Sequence, residues 1–565
     1  MATSNATPGG PRGGRGRQGF RVALLQVGLV ALLFAGAVAY LVHQGTVRRE
    51  VNTRLKAARA LSVRDNPADL RQALVELDAL FLLDDQVKDA QALAADVNTR
   101  LWLEHQQPEA QARAREHQAR AEALDSRSGE RYGTHARLLL AEGKAEEAGK
   151  YLEELQAQGA KNPKLALAEA QVLLTRGRLA EARQALARAS EAAWREPRYA
   201  QAHGEALLDE GLAAQAAEAF KKATLASPGH LRARLSLALA RLYQGTGQEE
   251  ARKTVADVLS REAELSPPLK ARALSVRAAL ALAEERPDEA LKAAAEALAA
   301  SPDEYQALFL RARALARRGD AGAREAFLAA VERRRTAPLL YLEGARVLRE
   351  ARDGEGALKL LDAYAAVFRD VRVPAGEGQQ VGALERDERY WLARGEVMEA
   401  LARGDAALEA YDRALAIKGV GRARAQYAKA ALLLSRGDAE SARPLLAELT
   451  PENGMGALPE AYEAMGRLLF TQGEFAQGCQ HYYVGLSRAH QQGAAPEALQ
   501  RKAADVERRL TDSGQATMAR TWRTETDALL RRWAGSRTAR RDSGPGASRS
   551  PRATPHPPAC RSGHR

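Results

Sequence analysis

Glu142-Gly143-Lys144-Ala145-Glu146-Glu147-Ala148, Arg176-Gly177-Arg178-Leu179-Ala180-Glu181-Ala182 and Glu210-Gly211-Leu212-Ala213-Ala214-Gln215-Ala216 are one phrase written three times. The glycine and the closing alanine each return after 34 residues. Glycine permits the left-handed backbone that ends a helix, and the residues after it restart one. The alanine lets that second helix approach its neighbour closely. Each phrase therefore reads as the turn of an antiparallel helical hairpin. A plain helical bundle shows a period of 3.6 residues but does not return a glycine to one place every 34.

The closing small residue can be followed outward in both directions as Ala73, Ala110, Ala148, Ala182, Ala216, Ala251, Ala290, Ala323, Ala357, Ala407, Ala442 and Gly478. The spacing stays between 33 and 39 residues, except for 50 between Ala357 and Ala407. The excess falls near 371–386, where Pro374, Gly376, Gly378 and Gly382 forbid a continuous helix. This pattern resembles the tetratricopeptide-repeat family. In that family the second helix carries a small residue, a large apolar one four later, a small one three after that, and often a proline beyond. Ala216, Phe220, Ala223 and Pro228 match, as do Ala290, Ala294, Ala297 and Pro302 with a smaller central residue. Trp391, Gly395 and Met398 before Ala407 and Tyr411 carry the fuller form, as do Tyr462, Met465, Gly466 and Leu469 before Gly478 and Tyr482.

The expected fold class is all-α, a superhelix of tetratricopeptide-like hairpins with one N-terminal transmembrane helix. The expected organisation is a basic disordered tail at 1–21, a transmembrane helix at 22–42 and a helical spacer at 43–59. About 10–12 hairpins fill 60–490, capping helices occupy 491–535, and a disordered basic tail covers 536–565. Composition agrees: aromatics are 5%, and Val, Ile and Thr never gather into alternating runs, so no strands are expected.

The net charge of +12 lies mainly in the tails. Arg12, Arg15, Arg17 and Arg21 stand in an acid-free N-terminus, and residues 536–565 hold seven Arg against Asp542 alone. A body close to neutral argues against a specific nucleic-acid interface. The two cysteines, Cys479 and Cys560, exclude a disulfide framework and a four-cysteine zinc site.

Val22–Val42 has Gln26 as its only strongly polar member. As a helix it rises about 31 Å, against a hydrocarbon core of roughly 30 Å. Ala37-Val38-Ala39 has the form of a signal-peptidase site, but the apolar run continues past it through Val42. The expected placement is a single pass of the inner membrane, with the N-terminus cytoplasmic and the repeats periplasmic. Four basic residues flank each side, Arg48, Arg49, Arg54 and Lys56 on the second, so charge counting alone leaves the orientation open.

No catalytic, cofactor or metal site is expected. Gly376-x-Gly378 and Gly419-x-Gly421 lack the third glycine and the preceding strand of a phosphate loop. Cys479 and His481 are two apart, which on a helix points them in different directions. The family resemblance implies a groove lined by the first helices. There Arg137, Arg198, Arg272, Arg346, Arg349, Arg389, Arg424 and Arg467 are the candidate partner-binding residues, suited to an acidic peptide or helix. The Ala/Arg-rich wording is similar to membrane-anchored repeat proteins of Gram-negative bacteria. That implies a scaffold in an envelope assembly for secretion, pili, motility or polymer export. A regulatory subunit of an envelope enzyme and a cytoplasm-facing adaptor are the alternatives, and no small-molecule substrate is expected.

Overall fold

The computed structural model describes residues 15–542 apart from 160, 161, 377, 378, 418, 420, 452 and 455. Side chains are described at Leu29 and from residue 32 to 533, again without those positions and without 375 and 376. The described residues form helical hairpins one after another, with a short non-helical insertion between the ninth and the tenth. The first four are α1 (Arg15–Arg64) with α2 (Pro67–Phe81), α3 (Lys88–Leu103) with α4 (Ala110–Ala123), α5 (Gly129–Ala141) with α6 (Ala145–Ala157), and α7 (Leu165–Thr175) with α8 (Leu179–Ala192). There follow α9 (Pro197–Asp209) with α10 (Ala213–Ala226), α11 (Leu231–Tyr243) with α12 (Gln248–Leu259), α13 (Pro267–Ala283) with α14 (Pro287–Ala300), and α15 (Tyr305–Arg317) with α16 (Ala323–Arg333). The last five are α17 (Pro338–Glu350) with α18 (Gly354–Phe368), α19 (Glu388–Ala400) with α20 (Gly404–Ala416), α21 (Arg422–Ser435) with α22 (Ala439–Leu449), α23 (Pro459–Thr471) with α24 (Phe475–Gln491), and α25 (Pro496–Asp512) with α26 (Ala516–Asp542).

The local devices are those the sequence announced. Gly143, Gly177 and Gly211 have φ of 77°, 70° and 81°, and each sits in the turn between the two helices of its hairpin. The small residues from Ala73 to Gly478 all lie in second helices, one per hairpin, and all are buried. Close approach is enforced from the other side by glycines of the first helices. A Cβ on Gly204 would stand 2.5 Å from the Phe220 ring, and one on Gly395 would stand 2.3 Å from Tyr411. Each large ring fills the hollow its glycine leaves.

Three expectations need correction: the element boundaries on either side of Val22–Val42, the C-terminal limit at 535 and the absence of strands. The span at Val22–Val42 is not a separate element: α1 runs unbroken from Arg15 to Arg64. No proline interrupts that stretch, so the helix backbone carries no break at 21 or at 43. Among the described residues no helix is long and apolar enough to cross a membrane. The side chains of 22–28, 30 and 31 lie outside the described residues. At the other end α26 continues to Asp542, past the expected limit at 535, and residues 543–565 and 1–14 lie outside the described residues. The insertion near 371–386 is not strand-free, because β1 (Arg372–Gly376) and β2 (Gln379–Gly382) pair antiparallel as a small hairpin.

The superhelix is wound so tightly that its turns touch. The Asn66 amide, between α1 and α2, donates to the Gly229 carbonyl at 2.9 Å, and its oxygen accepts from the Leu231 N–H at 3.1 Å. His105, between α3 and α4, is 3.0 Å from the Ser266 hydroxyl, and Gln106 donates to Ser301 at 3.1 Å. Arg334 reaches Asp209, and Arg389 donates to the Glu210 carbonyl. These contacts span 125 to 195 residues, about four to six hairpins. In every case the turn inside an earlier hairpin meets a connection at or next to the start of a later first helix. As a result α3 is enclosed on all sides, every residue from Ala90 to Leu101 being buried.

Candidate functional site

Winding closes the inner face over the first eight or so hairpins and fills it with charge. Arg137 and Arg272 are buried at 4% and 8% exposure. Arg137 donates to Glu104, and Arg198 donates to the same carboxylate at 2.6 Å and to Asp96 at 3.3 Å. Arg272 pairs with Glu205 at 3.1 Å and Glu304 at 3.3 Å. Arg100 binds Asp96, the Ser62 carbonyl at 2.7 Å and Asp65 at 3.3 Å. Burial alone would push the Asp96 carboxyl up, but Arg100, Arg198 and Arg137 around it hold it well below the usual range. Glu104 is likewise held low against its burial by Arg198, Arg137 and Arg232. A cavity of about 230 Å³ remains beside the axis. Its charged lining is Asp65, Glu104 and Glu205 against Arg198, Arg232 and Arg334, three of each sign. Such a lining is already neutralised, so it offers no net attraction to an acidic partner.

Sequence reasoning named Arg137, Arg198 and Arg272 for a solvent-facing groove, and the structure places them in this internal lattice instead. It missed Asp96, Glu104, Asp209 and Arg334. The sequence held no clear signal for them: Asp96 and Arg100 stand four apart in a stretch that also carries Gln91, Asn98 and Thr99, so the pair reads as an ordinary solvated helix face.

Beyond Arg389 the inner face opens. Among the described residues, the hydrogen bonds and ion pairs of later units run only within a unit or to an adjacent one, such as Lys502 with Glu463 and Arg394 with Asp362. Arg346 pairs with Glu343 and Glu350 on its own helix, and Arg349 reaches Glu396 at 3.2 Å, with Arg424 on the far side of that carboxylate at 3.8 Å. Arg389, near the Asp387 carboxylate at 3.6 Å, is tied back to Glu210 and does not belong to this open face. Arg467 is exposed on α23 and lines a recess of about 440 Å³ between α23, α24 and α25. Arg467, Arg501, Lys502 and Arg509 outnumber Glu463 and Asp505 there, four to two. At its floor the Tyr482 hydroxyl is buried and has no hydrogen-bond partner among the described residues. Burial pushes that phenol up to about 12, so at neutral pH it remains a donor. The eight arginines thus divide: Arg424 and Arg467 stand on the open C-terminal face, Arg346 and Arg349 of α17 are paired with Glu343, Glu350 and Glu396, and Arg137, Arg198, Arg272 and Arg389 are tied into the wound part.

Cys479 is buried, and among the described residues no three side chains of metal-binding type converge. Gly376 lies at the end of β1, and Gly421 donates its N–H to Glu388 at 2.9 Å.

Stacked helical hairpins with a charged concave face define a helical-repeat scaffold, a class built for protein–protein contact. Residues 139–205 match the family model described as tetratricopeptide repeat. The solved human IFIT1 dimer with PPP-AAAA is similar at 16% identity and a TM-score of 0.40, covering 71% of this chain and 90% of that one. The APC/C hetero-tetramer Cut9–Hcn1 is similar at 12% identity and a TM-score of 0.36, covering 77% and 93%. The comparison with curated proteins returns no match.

Proposed function

We propose that this chain is a membrane-tethered scaffold that gathers a protein partner on its open C-terminal face, as part of an envelope assembly. The observation that carries the reading is the contrast between the two faces. The charge-balanced inner lattice is occupied by the chain's own residues, while the recess at Arg467 keeps a basic excess and a free phenol donor. An acidic peptide or helix supplies the complement, its carboxylates accepting from guanidinium and hydroxyl together.

The tether is Val22–Val42, with the N-terminus cytoplasmic and the solenoid periplasmic. In its support, Leu29, Leu32, Leu33, Phe34, Leu41 and Val42 are 61–73% exposed on α1. Consecutive large apolar residues bare on a single projecting helix suit lipid better than water. The envelope role extends the likeness of the Ala/Arg-rich repeats to bacterial anchored scaffolds.

Affinity capture from detergent-solubilised membranes, comparing wild type with Arg467→Glu/Arg501→Glu and with Arg137→Glu, tests this. The double reversal is expected to lose the partner at least tenfold with an unchanged melting temperature. Arg137→Glu is expected to lower the melting temperature, because it sets a third acid beside Glu104 and Asp96. Retained capture by the double variant would refute the C-terminal face. Release of the wild-type chain by alkaline carbonate would refute the tether.

A further inference from the structure

The end of the solenoid from which α1 projects carries a bare pair of leucines. Leu82 and Leu83 follow α2 and are 90% and 42% exposed, and Val75 on the outer side of α2 is 56% exposed. A single exposed leucine is ordinary, so position carries the argument. Arg64 of α1 pairs with Asp69 of α2, and Arg54 pairs with Glu76. That antiparallel register brings Leu82 level with Arg48 and Arg49, and Val47, Phe81 and Val87 border the same apolar cluster. From Val42 to Arg48 the helix rises about 9 Å. The interfacial layer of a bilayer is about 5–7 Å deep on each side, and a helix tilt of about 20° is usual. The leucine turn therefore stands within reach of the lipid surface beside the anchor.

We propose that Leu82 and Leu83 seat on the lipid surface next to α1 and fix the tilt at which the solenoid leaves the membrane. The proposal rests on the reading of Val22–Val42 as the span. The surrounding charge selects the surface. Asp84 and Asp85 follow the leucines, their carboxylates accepting from the Gln86 backbone and side-chain amides at 2.9 and 2.8 Å. Arg48, Arg49 and Lys88 flank them, so acids and bases nearly cancel. A zwitterionic phosphatidylcholine surface fits that balance, with the leucines inserting and the charges remaining among headgroups.

The test uses the full chain with Cys560→Ser, reconstituted into phosphatidylcholine vesicles, with Leu82→Cys carrying an environment-sensitive fluorophore; Cys479 is buried and stays unlabelled. Leu225→Cys is the control. Leu225 is 74% exposed near the connection that meets Asn66, at the opposite end of the first hairpin from Leu82. Spin-labelled lipid is expected to quench the Leu82 label several-fold more than the Leu225 label. Equal, water-like signals from a chain that resists carbonate would overturn the seating while leaving the span intact. A lipid-like Leu82 signal from a chain that carbonate strips away would support the seating and refute the span. Equal signals from a stripped chain would refute both.

Discussion

Asp209, at the end of α9, accepts two hydrogen bonds from the Arg334 guanidinium, at 3.1 and 2.8 Å, across 125 residues of chain. The same carboxylate accepts from the Tyr305 hydroxyl at 2.6 Å. One acid at the inner turn of the fifth hairpin thus holds both ends of the eighth, Tyr305 at the start of α15 and Arg334 just after α16. Removing it leaves a guanidinium and a phenol without their acceptor, which is costlier than replacing the whole group with apolar residues. Asp209→Ala is expected to cost about 2–3 kcal/mol, discounted because Arg334 is partly exposed. Urea denaturation measures it. A loss below about 0.5 kcal/mol would mean that the stacked turns do not cooperate.

Protons should attack the same inter-turn seam. Burial pushes the His105 imidazole down from 6.5 to about 4, outweighing the pull of Asp65, and burial also lowers His230. The folded chain keeps both rings neutral where the unfolded chain protonates near 6.5. Stability is therefore present in full above that value and is lost as pH falls from about 6.5 towards 4. For His105 the loss approaches about 3 kcal/mol. Asp96 and Glu104, held low, remain charged through this window and oppose nothing in it. Melting temperature followed from pH 7 to pH 4.5 should fall, and His105→Gln/His230→Gln should flatten the profile. An equally steep profile in the double variant would assign the acid sensitivity elsewhere.

Not every hairpin turn kept its glycine. Ala402 stands where Gly177 and Gly211 stand in earlier units, and its φ is 57° against their 70° and 81°. A β-carbon in the left-handed region costs about 1–2 kcal/mol, part of which glycine returns as unfolded-chain entropy. Ala402→Gly is expected to stabilise the protein by about 0.5–1 kcal/mol, read as a shift of the urea midpoint at constant slope. A destabilised variant would show that the Ala402 methyl contributes packing that outweighs its strain.

The repeat was legible because its requirements are local. A turn in the left-handed region needs glycine, a close helix crossing needs alanine or glycine, and both recur at the spacing of one hairpin, so Gly143, Gly177, Gly211 and the run from Ala73 to Gly478 revealed the architecture. The β-hairpin at Arg372–Gly382 was not legible, because Val-Pro-Ala-Gly carries no alternation and only cross-strand pairing defines it. The division of the arginines was hidden for a deeper reason. Arg137 and Arg467 occupy first helices of like pattern, and nothing within one repeat distinguishes them. What separates them is the small rotation each hairpin adds to the last, which accumulates until Asn66 meets Gly229 and Asp209 meets Arg334. The sequence by itself determined the unit and its stacking. The tertiary structure alone decided which units close on one another, because closure is a sum over many packing angles and no single residue encodes it.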